Sequence, residues 1–271
     1  MTSAAIGLEA KNLTIAYGAN VVVKDLNLTI RPHSFTALLG PNGCGKSSIL
    51  RSLATIQRAQ RGAILLDDIP IATLPSKTVA RRIGFLAQGA PQVEGMSVVD
   101  LVRQGRYPHR SMFSRWSETD TLAVEQALQL TGLEDLRDRY LATLSGGQRQ
   151  RAWIAMTLAQ QGDILLLDEP TTYLDLAHQI EVLELMRTLI RDQGRTVVAV
   201  LHDLNHAARY ADHLVLLRDG AIAGQGTPSV ILTPEMIREV FGISAVIISD
   251  PETGLPLCIP RRVVSEQSAD D

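Results

Sequence analysis

Apolar and polar residues alternate from Leu8 to Tyr17 and again from Val21 to Ile30, the period-two pattern of half-buried strands, with Ala19-Asn20 expected as the turn. Phe35-Thr36-Ala37-Leu38-Leu39 is a short apolar run that predicts a buried strand, and Ser48 to Leu53 predicts the first turns of a helix. Gly62 to Asp67 reads as a strand, Ser76 to Arg82 as a basic helical stretch, and Gly84 to Gln88 as another strand. From Gly89 to about Gln160 helical periodicity takes over, predicting helices over Val98–Gln104, Glu118–Leu130 and Gly147–Gln160. Alternation then resumes: strands at Ile164–Leu167, Thr196–Leu201 and His213–Leu217, helices at Ala177–Asp192 and Asn205–Ala211. Val246-Ile247-Ile248 and Leu257-Cys258-Ile259 can pair as a hairpin across Asp250 to Gly254, and Ser265–Asp271 has the composition of a disordered tail. This order predicts an α/β fold with a mostly parallel sheet, helices on both faces and antiparallel strands at the N-terminus. Residues 1–88 and 161–271 are expected to form the core with a C-terminal extension, and 89–160 an inserted helical subdomain.

Composition narrows the function. With 26 Lys and Arg against 29 Asp and Glu, the net charge of −3 gives no basic excess for nucleic acid. Aromatic content of 4% argues against a base-stacking platform. The two cysteines, Cys44 and Cys258, are read as thiols in a reducing compartment. No apolar run approaches the roughly 20 residues of a membrane span, and Met1 to Ala5 lack a basic start before an apolar stretch, so a membrane role is expected through a partner.

Three segments carry chemistry. Gly40-Pro41-Asn42-Gly43-Cys44-Gly45-Lys46-Ser47 sits between an expected strand and an expected helix, the setting of a phosphate-binding loop. Its glycines let backbone N–H groups turn inward around an anion, and the following helix adds partial positive charge. Lys46 would reach the β- and γ-phosphates, and the Ser47 hydroxyl would ligate Mg²⁺. Ile164-Leu165-Leu166-Leu167 ends in Asp168-Glu169, two carboxylates at the carboxyl end of a buried strand, where ligands bind in open α/β sheets. Asp168 would hold Mg²⁺, and Glu169, pointing to the other side, would polarise an attacking water. Leu144-Ser145-Gly146-Gly147-Gln148 places an N-cap serine and two glycines before a helix, a second anion-binding terminus.

Leu-Ser-Gly-Gly-Gln is also the signature of the ATP-binding cassette (ABC) family, and the chain resembles that family from Leu8 to about Gly242. The resemblance implies a phosphate-loop NTPase core that binds ATP and Mg²⁺. It implies that Tyr17 stacks on adenine and that Gly40 to Ser48 hold the phosphates. It further implies that Gln88 reaches Mg²⁺ and the attacking water, that His202 contacts the γ-phosphate, and that Asp175 crosses a dimer interface. Two copies would pack head to tail, each ATP held by one phosphate loop and by the Ser145-Gly146-Gly147-Gln148 start of the other copy. Tyr173 stands where many members have a small residue, and Ser48 where threonine is frequent. Gly40-Pro41-Asn42-Gly43-Cys44-Gly45-Lys46-Ser47, Gly105-Arg106-Tyr107-Pro108-His109 with Arg115-Trp116, Asp168-Glu169-Pro170-Thr171-Thr172-Tyr173-Leu174-Asp175 and His202-Asp203-Leu204-Asn205 resemble the ATPases of iron–siderophore importers, a group with haem and cobalamin relatives. The expected partners are a transmembrane permease and, indirectly, a periplasmic or surface substrate-binding protein, with the chain peripheral on the cytoplasmic face of the membrane. The alternatives are a haem or cobalamin importer ATPase and a soluble, non-transport cassette ATPase.

Overall fold

A computed structural model describes residues 7–91, 93–111, 115–172 and 174–263. In chain order the elements are β1 (Leu8–Tyr17), β2 (Asn20–Ile30), β3 (Phe35–Leu39), α1 (Lys46–Leu53), β4 (Arg61–Leu66), β5 (Ile69–Pro70), α2 (Ser76–Arg82), β6 (Ile83–Leu86), α3 (Val98–Gln104), α4 (Glu118–Leu130), α5 (Gly146–Ala159), β7 (Ile164–Asp168), α6 (Leu176–Gln193), β8 (Thr196–Val200), α7 (Leu204–Tyr210), β9 (His213–Arg218), β10 (Ala221–Gly226), α8 (Pro228–Ile231), α9 (Pro234–Phe241), β11 (Ile243–Ser249) and β12 (Pro256–Val263). The expected α/β class is borne out. The chain divides into two compact units, one running up to Asp68 and resuming at Val198, the other from Ile69 to Val197. The helical stretch expected over 89–160 lies inside the second.

In the first unit, β2, β1 and β4 form an antiparallel sheet. Leu8 and Ala10 are buried, and so are Leu13 and Ile15, although the two pairs differ in parity. The register breaks between Ala10 and Leu13, around Asn12 at φ +48°. One extra residue there returns the second apolar pair to the core face. Tyr17 pairs with Asn20, so the tight turn is Gly18-Ala19, one residue earlier than expected. Gly18 supplies the φ of +61° that this turn requires.

The same unit contains strands in the order β10-β9-β3-β8, with β3 and β9 parallel and β10 antiparallel to β9. Every residue of β3 is buried, as expected for a strand covered on both faces. Strand β10, Ala-Ile-Ala-Gly-Gln-Gly, was not expected; its glycines hide the pattern, and pairing with β9 supplies the order. The C-terminal hairpin forms between the expected segments, with Val246 opposite Ile259, Ile247 opposite Cys258 and Ile248 opposite Leu257. The tail expected to be disordered, Ser265–Asp271, lies outside the described residues.

In the second unit, β6 and β7 run parallel, from Ile83 opposite Ile164 to Leu86 opposite Leu167. Helices α3 and α4 both pack on α5. Helix α4 opens with a capping box, Ser117 Oγ accepting from Asp120 N while the Asp120 carboxylate accepts from Ser117 N. Asp120 also takes Arg106 Nε at 2.9 Å, and both side chains are almost fully buried. Arg106 Nη1 donates further to the carbonyl of Ala159 at 2.8 Å and to Gln161 Oε1 at 2.9 Å. His109 Nε2 donates to the Gln160 carbonyl at 2.8 Å, and burial pushes the imidazole pKa down. A methyl group on Gly105 would sit 2.1 Å from the Met156 carbonyl, so only glycine fits there. The stretch after α3 is therefore bolted to α4 and to the end of α5.

Burial works to raise the Asp120 pKa, but the hydrogen bonds from Ser117 and Arg106 prevail and hold it below the ordinary carboxylate value. The pair thus contributes stability above pH ~4, the unfolded value, and loses it as pH falls through the lower folded value. Asp120→Ala strands the buried guanidinium and is expected to cost about 3 kcal/mol, read as a lower urea midpoint at pH 7. An unchanged midpoint would refute this account of the loop.

Candidate functional site

Strand β3 delivers the chain into the glycine-rich loop, and α1 begins at Lys46, two residues earlier than the expected Ser48. Gly45 occupies the N-cap at φ +102°, and no side chain caps the helix. A Cβ at Gly45 would lie 2.7 Å from Val23 Cγ2, and one at Gly40 would lie 2.2 Å from the Leu217 carbonyl. The first turn of α1 therefore keeps orphan N–H groups at a position where only glycine fits. Lys46 is buried, its Nζ donating to the carbonyls of Gly40 and Pro41, both at 2.8 Å. Among the described residues no carboxylate pairs with it. A buried ammonium held by two carbonyls is an unneutralised charge with donor capacity left over. Cys44 Sγ lies 3.8 Å from Lys46 Nζ; burial pushes its thiol up against the pull of that ammonium. Both cysteines are free, as expected.

Tyr17 stands half-exposed at the end of β1, its hydroxyl 3.2 Å from Ser48 Oγ and donating to Gln57 Oε1 at 2.6 Å. The sequence places Ser48 with the phosphate-binding residues and gives no sign of its contact with Tyr17, nor of Gln57. Both orient the tyrosine ring, and their separations of 31 and 40 residues leave no local signal. Leu201 N donates to the Leu38 carbonyl at 3.2 Å, which sets the carboxyl ends of β3 and β8 side by side. His202, exposed, follows directly. The first unit thus groups Tyr17, Gly40 to Ser48, and His202.

The second unit groups the rest. Gln88 lies exposed in a bend two residues beyond β6, not at the strand's end as expected. Asp168 closes β7 and is fully buried. The parallel register of β6 and β7 puts Gln88 and the Asp168-Glu169 pair at one end of their strands. Glu169 has φ +53°, an unfavourable left-handed conformation for a residue with a Cβ, and its carboxylate accepts from Thr172 Oγ1 at 2.9 Å. Gln150 Nε2 donates to the Pro170 carbonyl at 3.1 Å, tying α5 to the segment after these carboxylates.

Ser145 caps α5 in a closed box: its Oγ accepts from Gln148 N at 3.2 Å, and Gln148 Oε1 accepts from Ser145 N at 3.1 Å. A methyl group added to Gly146 would meet nothing within 4 Å, so this chain's own packing does not demand glycine there. A Cβ on Gly147 would be 3.4 Å from the His178 ring, which brings the start of α5 beside the start of α6. Asp175 caps α6, accepting from His178 N at 2.9 Å and from His178 Nδ1 at 2.7 Å. Those bonds from the His178 backbone and ring hold the Asp175 carboxyl below its usual range. Tyr173, whose packing the sequence left open, lies outside the described residues.

Among the described residues no helix is long and apolar enough to cross a membrane. The ABC transporter family pattern matches residues 23–172. The chain is 50% identical over 260 residues to the ferric enterobactin transport ATP-binding protein FepC of Escherichia coli K12, covering 96% of each. It is 50% identical to the probable siderophore transport system ATP-binding protein YusV of Bacillus subtilis, covering 94% of this chain and 92% of the relative. An inward-facing structure of a metal-chelate type ABC transporter superposes with a TM-score of 0.82 at 32% identity, over 96% of this chain and 98% of that one. The dimeric cassette MJ0796 gives 0.73 at 27% identity, over 81% and 98%. An uncapped α1 over a buried lysine, a capped glycine pair opening α5, and these matches lead to one assignment: the chain belongs to the ABC transporter family and is one of its ATPases.

Proposed function

We propose that this chain is the motor subunit of an importer for ferric siderophores, hydrolysing ATP to drive uptake through a separate permease. The identity to YusV and FepC over nearly the whole chain carries the substrate class, because the first is named for siderophore transport and the second for ferric enterobactin transport. The buried, carbonyl-held Lys46 carries the chemistry, because a triphosphate supplies the negative charge it lacks.

In this reading the loop from Gly40 to Ser48 wraps the phosphates, with orphan amides of α1 and the Lys46 ammonium as donors. Tyr17, its hydroxyl held by Ser48 and Gln57, offers its ring face to adenine. Ser47, Gln88 and Asp168 contribute hydroxyl, carboxamide and carboxylate oxygens, the hard donors that suit Mg²⁺ alongside phosphate and water. Bound there, Mg²⁺ would neutralise charge on the β- and γ-phosphates. Glu169, fixed by Thr172, accepts the proton of the attacking water, and His202 steadies the γ-phosphate. The strained backbone of Glu169 supports this role, since such strain is retained where a side chain must be aimed.

A second copy completes the site. Ser145 and Gln148 spend their side chains on each other, leaving the N–H groups of Gly146 and Gly147 to face a partner's γ-phosphate. Asp175, at the neighbouring helix start, lies in the same contact. ATP then favours the closed pair and hydrolysis its opening, a population shift driven by the lost bridging group. The permease, working at the cytoplasmic face with a binding protein beyond it, converts that cycle into transport.

Glu169→Gln is expected to keep ATP binding, slow hydrolysis at least about 100-fold, and elute as a dimer with ATP on sizing chromatography. Only monomer would count against the sandwich. Gly146→Ala should fold normally by circular dichroism yet lose about tenfold in turnover, a cost of ~1.4 kcal/mol in the paired site. Wild-type turnover in that variant would remove the second copy's glycines from the mechanism. Cells lacking the chain should lose uptake of radioiron carried by a siderophore, and the Glu169→Gln form should fail to restore it. Uptake that persists at full rate would reject the substrate class.

A further inference from the structure

The C-terminal hairpin adds little to the core: of β11 and β12, Cys258 alone is buried. Strand β11 packs on α9, the helix that leads into it, and β12 packs on α7, the short helix that starts two residues after His202. Asn205, in the first turn of α7, accepts from Cys258 N through Oδ1 at 2.7 Å and donates through Nδ2 to the Cys258 carbonyl at 3.1 Å. The carboxamide thus takes the place of a neighbouring strand on the open edge of β12. One turn on, Arg209 lies on the same face of α7 and reaches Asp250 at 4.0 Å and Glu252 at 3.7 Å in the hairpin's turn. The helix is therefore held at both ends by one hairpin.

The other end of this linkage is the histidine. Asp203 caps α7, its Oδ1 accepting from Asn205 N and His206 N, both at 2.8 Å. His202 precedes that cap, and Leu201 is fixed to β3 through the Leu38 carbonyl. The backbone at His202 is thus pinned upstream by the sheet and downstream by a capped helix. A helix of seven residues has little stability alone, so its placement depends on what it packs against.

We propose that the hairpin is a clamp that sets the position of His202, with Asn205 as the positioning residue. The inference rests on the role given to His202 above. Both amide hydrogen bonds are lost in Asn205→Ala, while the Asp203 cap, which uses the backbone N–H of residue 205, is retained.

The test uses the full-length chain. Asn205→Ala is expected to lower kcat about fivefold, the size of a lost bidentate contact, with KM for ATP and the melting temperature little changed. Hydrogen exchange of the 201–206 amides should rise while that of β3 stays as in wild type. Arg209→Ala, which breaks only the long ion pairs to Asp250 and Glu252, should show the same pattern more weakly and covers the case in which Asn205→Ala folds poorly. In a His202→Ala background, Asn205→Ala should cost nothing further in kcat. Unchanged exchange at 201–206, or an equal fivefold loss in both backgrounds, overturns the clamp. Wild-type turnover in His202→Ala alone would instead overturn the role of His202, and the exchange measurement would still judge the clamp.

Discussion

A buried ammonium with no carboxylate partner among the described residues is the constraint on which the site depends. Lys46 is taken out of water and held by the carbonyls of Gly40 and Pro41, with Cys44 Sγ at 3.8 Å. Two neutral dipoles offset part of the cost of burying a charge, and the remainder is repaid when an anion arrives. The surrounding loop cannot relax to supply that anion itself. Gly40 and Gly45 are pressed against the Leu217 carbonyl and Val23, where any side chain would clash. Gly43, between them, has open space, so the crowding falls on the two glycines that flank it; under the proposed function, the charge left over at Lys46 is what a phosphate would answer.

The helix starts divide by how they are capped. Helices α5, α6 and α7 each begin on a polar side chain that accepts a backbone N–H: Ser145, Asp175 and Asp203. Helices α1, α2 and α8 have no such cap, and of these α1 alone begins on a glycine, Gly45, beside a buried lysine. A capped start is stable in its own right; an uncapped one keeps its donors for something else. The α5 start is intermediate, since its box satisfies two groups and leaves the amides of two glycines that this chain's packing does not explain.

Much of this was legible in the sequence. Helices over Ser76–Arg82, Val98–Gln104 and Glu118–Leu130 have the expected bounds; Ser97 and Ser117 cap the latter two, while the first starts after Pro75 without a side-chain cap. Strand β10 escaped because two glycines erased its alternation, and α8 and α9 because they are short. Their Thr-Pro starts, Thr227-Pro228 and Thr233-Pro234, were signals that went unread. Contacts between distant residues could not be read at all. Nothing near Asn205 announces a partner 53 positions later, and nothing near Tyr17 announces Gln57.

The stretch from Gly105 to Trp116 shows why a recognisable motif need not be a functional surface throughout. Arg106 is consumed by Asp120, Ala159 and Gln161, and His109 by Gln160. These residues build the loop and are not available to a partner. Tyr107 is 72% exposed, with Lys77 Nζ 5.6 Å from its ring centre. Trp116 carries the Arg103 and Arg110 guanidiniums at 5.5 and 5.3 Å. Cations over aromatic faces hold these side chains in place without hiding them. One part of the motif therefore locks the backbone and the other presents aromatic edges ringed by positive charge, so a resemblance in sequence here reports the scaffold as much as the surface it displays.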